Sequence, residues 1–195
     1  RDLVVDNPGR HNVLIFEGEE VLGAQQNRTF DIGILLAAGS REVVPVSCVE
    51  AGRWDGSRNR EEFTASPQTA HPKMRGEKVK QSNRARMSGI EARADQGMVW
   101  EQVSERAAEL GTQSPTGALH HAYESRRDRL REITGPIDLV ENQIGSVCVI
   151  AGEVRAVDVV SRPEVFADLH PPLLQGYALD AIVSPDSSGE VVVEE

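Results

Sequence analysis

Three short runs of β-branched and alternating apolar residues, divided by glycine-bearing turns, occupy the first fifty positions: VLIFEG at 13–18, RTFDIGILLAAG at 28–39 and EVVPVSCVE at 42–50. Their length and period-two alternation predict antiparallel strands. From Asp95 the period changes. Val99, Val103, Ala107 and Leu110 recur at helical spacing, with Asp95 as the N-cap and Gly111 as the stop. Ser114-Pro115 offers a second start, and Leu119, Ala122, Leu130 and Ile133 carry a second stripe up to Gly135-Pro136. Residues 95–135 therefore read as a helical hairpin. SVCVIAG and VRAVDVV predict two further strands about Gly152-Glu153. Ser161 with Glu164 has the spacing of a capping box, Pro171-Pro172 marks a break, and LLQGYALDAI resumes a helical pattern before an acidic tail. Residues 55–94 carry no sustained periodicity and read as a long connecting loop. Residues 13–19 also align without gaps on 147–153, as a duplicated strand hairpin would.

Charge gives that loop a character of its own. The chain of 195 residues carries a formal net charge of −10, which argues against a nucleic-acid partner. Yet the stretch 53–95 holds ten Lys/Arg against six Asp/Glu and is +4, leaving −14 for the remainder. A basic island of this kind can gather a small anion or simply be a solvated loop. No apolar run is long enough to span a bilayer and the N-terminus lacks a signal-peptide plan, so the expectation is a cytoplasmic protein without a membrane partner. The two cysteines, Cys48 and Cys148, each lie in a valine-rich run where a thiol packs as a small apolar group. No spacing typical of a built-in metal site occurs, so metal assistance through Glu50 and Glu19 has no support from spacing and the cofactor is unknown from the sequence.

The segment CVEAGRW, residues 48–54, concentrates chemistry at the end of the third strand. Phe30, Ile32, Ile34 and Leu36 share one strand face, and Val44, Val46, Cys48 and Glu50 share another. Keeping both faces inward requires paired positions that sum to an even number, with 78 or 80 favoured by the loop length. Arg28 then meets Glu50 directly or on the diagonal, near Gln26 and Arg53. Two readings follow from the residues: a structural clamp, or a site. In the second, Glu50 is the catalytic acid or base, Arg28 and Arg53 hold phosphate or carboxylate, and Gln25 and Asn27 fix hydroxyls. Trp54 stacks on a ring, and Glu19 is a second carboxylate at a turn. Asp95, Gln96 and Trp100 read as cap, polar edge and core.

GEEVLGAQQNR followed by VPVSCVEAGRW, DQGMVWEQV and SPTGAL resembles the bacterial domain family associated with ADP-ribosylglycohydrolases and rhodanese-like phosphatases. The resemblance spans most of the chain and maps the family's polar signature to Glu19, Gln25, Arg28, Cys48, Glu50, Arg53 and Trp54. Ala24 and Asn27 stand where members often have a second glycine and an acidic residue. It implies a small anionic partner of the ADP-ribose or NAD class, bound or hydrolysed; a non-catalytic regulatory or assembly module is the alternative, and a homo-oligomer stays open. The fold expected is a single α+β domain over 1–195, with antiparallel β-sheet elements from both ends of the chain, an inserted helical hairpin and C-terminal helices. A closed barrel resembling the cupins is the other architecture considered.

Overall fold

The computed structural model describes residues 2–58 and 61–184; the acidic tail expected after them lies outside this range. The fold is α+β, with ten strands and five α-helices among the described residues. The strands are β1 (Leu3–Asp6), β2 (Val13–Ile15), β3 (Glu19–Gly23), β4 (Arg28–Phe30), β5 (Ile34–Leu36), β6 (Arg41–Val44), β7 (Val46–Cys48), β8 (Phe63–Thr69), β9 (Gly145–Ile150) and β10 (Glu153–Val159). The helices are α1 (Pro72–Met87), α2 (Gln96–Glu109), α3 (Leu119–Ser125), α4 (Arg127–Thr134) and α5 (Pro163–Val183). All pairing is antiparallel: a four-stranded sheet ordered β7-β4-β3-β8 and three ribbons, β1-β6, β2-β5 and β9-β10.

The two long strands expected at 28–39 and 42–50 are each split, and the splits face one another. Pro45 cannot continue a ladder as donor, but its carbonyl accepts from Asp31 N at 3.2 Å. Asp31 turns its buried carboxylate to Ser47 Oγ (2.7 Å), Ala94 N (3.2 Å) and Lys78 Nζ (3.2 Å). Beyond this joint β5 pairs with β2 and β6 pairs with β1, because β1 takes the place that a β5-β6 hairpin would have used. The register of β4 on β7 sets Arg28 opposite Cys48 and Phe30 opposite Val46. Parity held; the sum is 76 rather than 78 or 80. Ile15, Phe30, Leu36, Val44 and Val46 close a small core between these ribbons.

The expected loop over 55–94 is corrected: it contains β8 and the sixteen-residue helix α1. Its helix escaped the pattern reading because the inward face is cationic. Met74, Arg75, Lys78 and Ser82 are buried at helical spacing, so a period exists but not in apolar residues. Arg75 forms a two-pronged pair with Asp158 of β10 and reaches Glu17 at 2.8 Å. Lys78 bonds Phe30 O at 2.7 Å and Thr29 Oγ1 at 3.2 Å besides Asp31. Arg75 and Lys78 of the basic island thus form ion pairs that pin α1 between two sheets, and they do not line an anion cleft as a loop would.

Asp95 caps α2 through Met98 N at 2.8 Å, as expected, and Val99, Val103 and Leu110 enter the main core beside Met74, Leu119, Leu130 and Leu179. The second helix of the expected hairpin is two helices, α3 and α4, broken at Arg126. Ser114 does not start it; its Oγ accepts from Ala118 N at 2.9 Å inside a turn that precedes Leu119. Nor does the Ser161–Glu164 box form, since Arg162 is the N-cap of α5 and makes no side-chain cap bond. Pro171 and Pro172 lie inside α5 without ending it. Burial on both sides carries the helix through, with Phe166, Leu169 and Leu173 against β9-β10 and Ala178 and Leu179 in the main core. At Gly176 the helix comes so close to β8 that a Cβ would lie 3.1 Å from Thr69 Oγ1 and 3.2 Å from Ala70 O. The aligned segments 13–19 and 147–153 do not form equivalent hairpins: β2 pairs with β5, whereas β9 turns directly into β10.

Candidate functional site

A hollow of about 550 Å³ opens beside the β4-β7 edge of the four-stranded sheet, and CVEAGRW divides across its wall. Cys48, Ala51 and Trp54 line it together with Gln25, Gln26 and Arg28, and α2 contributes Gln96 and Trp100 from the other side. Glu50 and Arg53 sit behind the wall. Their side chains form an ion pair at 2.6 Å that knits three loops. Glu50 also accepts from Thr116 Oγ1 at 2.8 Å and from Asn27 N at 3.2 Å. Arg53 continues the network to Ala24 O at 2.6 Å and Asn27 Oδ1 at 3.0 Å. This fixes the tight β3-β4 turn, where Ala24 adopts a left-handed φ of 43° after Gly23 at 126°. Burial would raise the Glu50 carboxyl, but the bonds from Arg53, Thr116 and Asn27 outweigh it and hold the group below its ordinary range.

The expected Arg28–Glu50 pair is not made. Arg28 projects from β4 toward its ladder partner Cys48, and its Nη1 donates to Cys48 Sγ at 2.7 Å and to Gln26 Oε1 at 2.9 Å. Gln26 in turn donates to Glu50 O at 2.9 Å. Arg28 is 5% exposed as a residue, its Nε has no hydrogen-bond partner, and no carboxylate among the described residues forms an ion pair with it. Burial lowers its affinity for its proton, with Cys48 and Glu50 opposing and Arg53 reinforcing that shift. Above it lies Trp54, 66% exposed, with the guanidinium carbon 6.0 Å from the ring centre.

Of the residues singled out in the sequence, the hollow brings together Gln25, Arg28, Cys48 and Trp54. Asn27, Arg53 and Glu50 shape its wall from behind. Glu19 is elsewhere: its Oε2 accepts from Phe16 N at 2.7 Å at the start of β3, and burial raises it despite that bond. Lys73, Arg75 and Lys78 do not reach the hollow. Phe63 and Leu3 were missed because each comes from an otherwise ordinary strand. Gln96 and Trp100 were read only as polar edge and core, although their spacing of four already placed both on one helix face.

A further missed group is Glu20, buried on β3 beside the predicted Glu19. Burial pushes its carboxyl up to about 8 against hydrogen bonds from Ser66 and Gln68, with Glu50 adding to the rise. Gln68 Nε2 links it at 3.0 Å to His120 Nδ1 at 2.7 Å. Among the described residues no cluster of His, Cys, Asp or Glu is placed to hold a metal ion, and no helix is long and apolar enough to cross a membrane.

This geometry accompanies a family match across residues 1–194, to the ARG and Rhodanese-Phosphatase-superfamily-associated Protein domain, ARPP-1. The chain belongs to that family. None of the curated proteins and none of the solved structures matches it. The polar residues singled out in the sequence are therefore divided in space between a lining set (Gln25, Arg28, Cys48, Trp54) and a supporting set (Glu50, Arg53), with Glu19 in neither.

Proposed function

We propose that the hollow binds a small anionic molecule carrying a planar ring, of the ADP-ribose or NAD-related class. The observation that carries this reading is Arg28: a buried guanidinium with no ion-paired carboxylate among the described residues, on the wall of a cleft rimmed by tryptophan. A buried cation with no ion-paired carboxylate favours an anion that completes it. Trp54 and Trp100 offer faces for a base, and the amides of Gln25 and Gln26 suit ribose hydroxyls. The family's description, which joins it to ARG, agrees with a ligand of this class. The reading is binding rather than hydrolysis, because both Glu50 oxygens are engaged and the group is held ionised by its partners. Glu50 then positions the wall and does not act as a base.

The chain's two tryptophans both line the hollow, so ligand entry reports directly in their emission. Titration with ADP-ribose, NAD, AMP and inorganic phosphate should give saturable quenching with at least one nucleotide. Arg28→Met should weaken it by roughly tenfold or more, in line with a charge-assisted bond. Unchanged emission with all four would overturn the proposal.

The Glu50–Arg53 clamp supports a second reading, a regulatory or assembly module whose polar cluster is structural. That reading gains if the same titrations are silent while Glu50→Gln lowers the melting temperature.

A further inference from the structure

A second hollow is larger than the one at Arg28. A concavity of about 780 Å³ runs between β9, the 135–144 segment and α5, on elements that contribute nothing to the first site. Ile133, Ile137, Ile144, Val147, Leu174 and Ala181 supply its aliphatic walls, and among the described residues no Asp, Glu, Lys or Arg lines it. Its size is that of a small-molecule pocket.

The polar groups on its wall are nearly all committed. Thr134 Oγ1 donates to Leu130 O at 2.9 Å, and Gln143 bonds Val140 N and Gly145 O. Ser146 Oγ meets Tyr177 Oη at 2.9 Å, and Tyr177 donates onward to Asp158 at 2.5 Å. Asn142, at the exposed rim, makes no side-chain bond. The Cys148 thiol and the His170 ring are the exceptions within the walls, and the ring is the stronger hydrogen-bonding group. His170 is 7% exposed, packs its ring 5.6 Å from that of Phe166, and neither ring nitrogen has a hydrogen-bond partner among the described residues. Neither nitrogen is among the fully buried polar atoms that lack a partner, so the ring is not sealed off, and a group entering the hollow that His170 lines can bond it.

We propose that this hollow is a second ligand site, selective for an uncharged molecule with an apolar body and one hydroxyl or carbonyl group that hydrogen-bonds His170. The absence of lining charge sets the selectivity. A carboxylate or phosphate entering here would be desolvated with no cation to meet it, whereas a neutral hydroxyl exchanges one bond with water for one with the imidazole. Burial alone lowers the His170 ring, which keeps it neutral and able to serve as acceptor or donor according to its tautomer. The two hollows thus differ in kind: one presents a cation and tryptophan faces, the other aliphatic walls and one neutral hydrogen-bonding ring.

The test uses 1-naphthol, with naphthalene and 1-naphthoate as controls, on the intact chain. Calorimetry and the imidazole NMR signals are read together, with His170→Gln assigning the relevant signal among the five histidines. The expected result is a saturable shift of the His170 signal with 1-naphthol and at least tenfold weaker binding of both controls. Ala181→Trp, which fills the hollow, should abolish binding without lowering the melting temperature. If His170→Gln does not fold, the calorimetric ranking of the three probes and the Ala181→Trp variant decide the matter alone. Equal affinity for naphthalene would remove His170 from the site and overturn the proposal. So would the absence of saturable binding, or a concentration-dependent dimer, dissociated by Val147→Lys, in which a second copy covers the hollow.

Discussion

Gln96 holds Cys48 by both of its backbone groups: Cys48 N donates to Gln96 Oε1 at 2.8 Å, and Gln96 Nε2 donates to Cys48 O at 2.9 Å. The side-chain amide thus imitates a neighbouring strand at the open edge of β7 and docks the first turn of α2 onto the sheet. Gln96→Ala removes both bonds from a part-buried backbone and should cost about 1–3 kcal/mol. Gln96→Glu should cost as much, since a carboxylate cannot donate to Cys48 O. Urea midpoints of the three proteins check this, and a midpoint unchanged in both variants would show that the clasp contributes nothing.

Glu20 should make stability fall as pH rises. Its carboxyl lies at about 8 in the folded chain, because burial outweighs the bonds from Ser66 and Gln68, against an ordinary value of 4.5. Between those two values the folded state keeps a proton that the unfolded chain releases, so unfolding becomes easier as pH climbs through this window. Glu20→Gln lacks the titration. Its stability relative to the parent should therefore improve steadily from pH 5 to pH 8, as read from paired urea curves; a constant difference would place Glu20 in a more polar setting than the structure gives it.

Asp180 joins α5 to two other helices. Its Oδ1 accepts from Arg106 Nη2 at 2.5 Å and lies 3.0 Å from His71 Nδ1, while Oδ2 accepts from Lys73 N at 3.2 Å. Burial would raise the carboxyl, but His71, Arg106 and Lys73 N together depress it. Its stabilisation is accordingly present above the ordinary carboxylate value of 3.8 and lost as pH falls through the depressed one. Asp180→Asn removes the buried counter-charge of Arg106, leaving it only the more exposed Glu109 at 3.4 Å, and should cost about 3 kcal/mol at neutral pH. Thermal unfolding at pH 7 and below pH 3 should show that penalty shrinking in acid.

The two cysteines should react very unequally. Burial among apolar groups, with Asp180 and Asp158 adding, pushes the Cys148 thiol up to about 12. At pH 8 only about one Cys148 in ten thousand is then a thiolate. Cys48 lines the first hollow beside the Arg28 guanidinium, where a small reagent can reach it. Iodoacetamide followed by peptide mass spectrometry should find Cys48 modified first. Preferential labelling of Cys148 would contradict this order.

What the chain announces about itself follows from local physics. Alternation placed strands near 13, 28, 42, 146 and 154, the Asp95 cap and the stripe of Val99, Val103 and Leu110 marked α2, and even parity put Arg28 and Cys48 on one face. The Asp95 cap and face parity depend on neighbours a few residues away, and these are written in order. The family likeness was legible for a similar reason, since GAQQNR and CVEAGRW are contiguous stretches.

Tertiary structure decided the rest, because those outcomes depend on partners far along the chain. Whether Lys78 and Arg75 form a solvated loop or the buried face of α1 turns on Asp31 and Asp158 arriving opposite them, which no local pattern encodes. Pro171 and Pro172 would end an isolated helix, yet α5 continues because packing on both flanks outweighs the lost bonds. Glu50 met Arg53 rather than Arg28 because β1 occupied the ribbon position and the β4-β7 register settled two residues from the simple hairpin. The sequence by itself determined which segments alternate, which coil and which side chains share a face. The competition among distant charges and surfaces for burial determined where those faces meet, and so which polar residues line a hollow and which lie behind its wall.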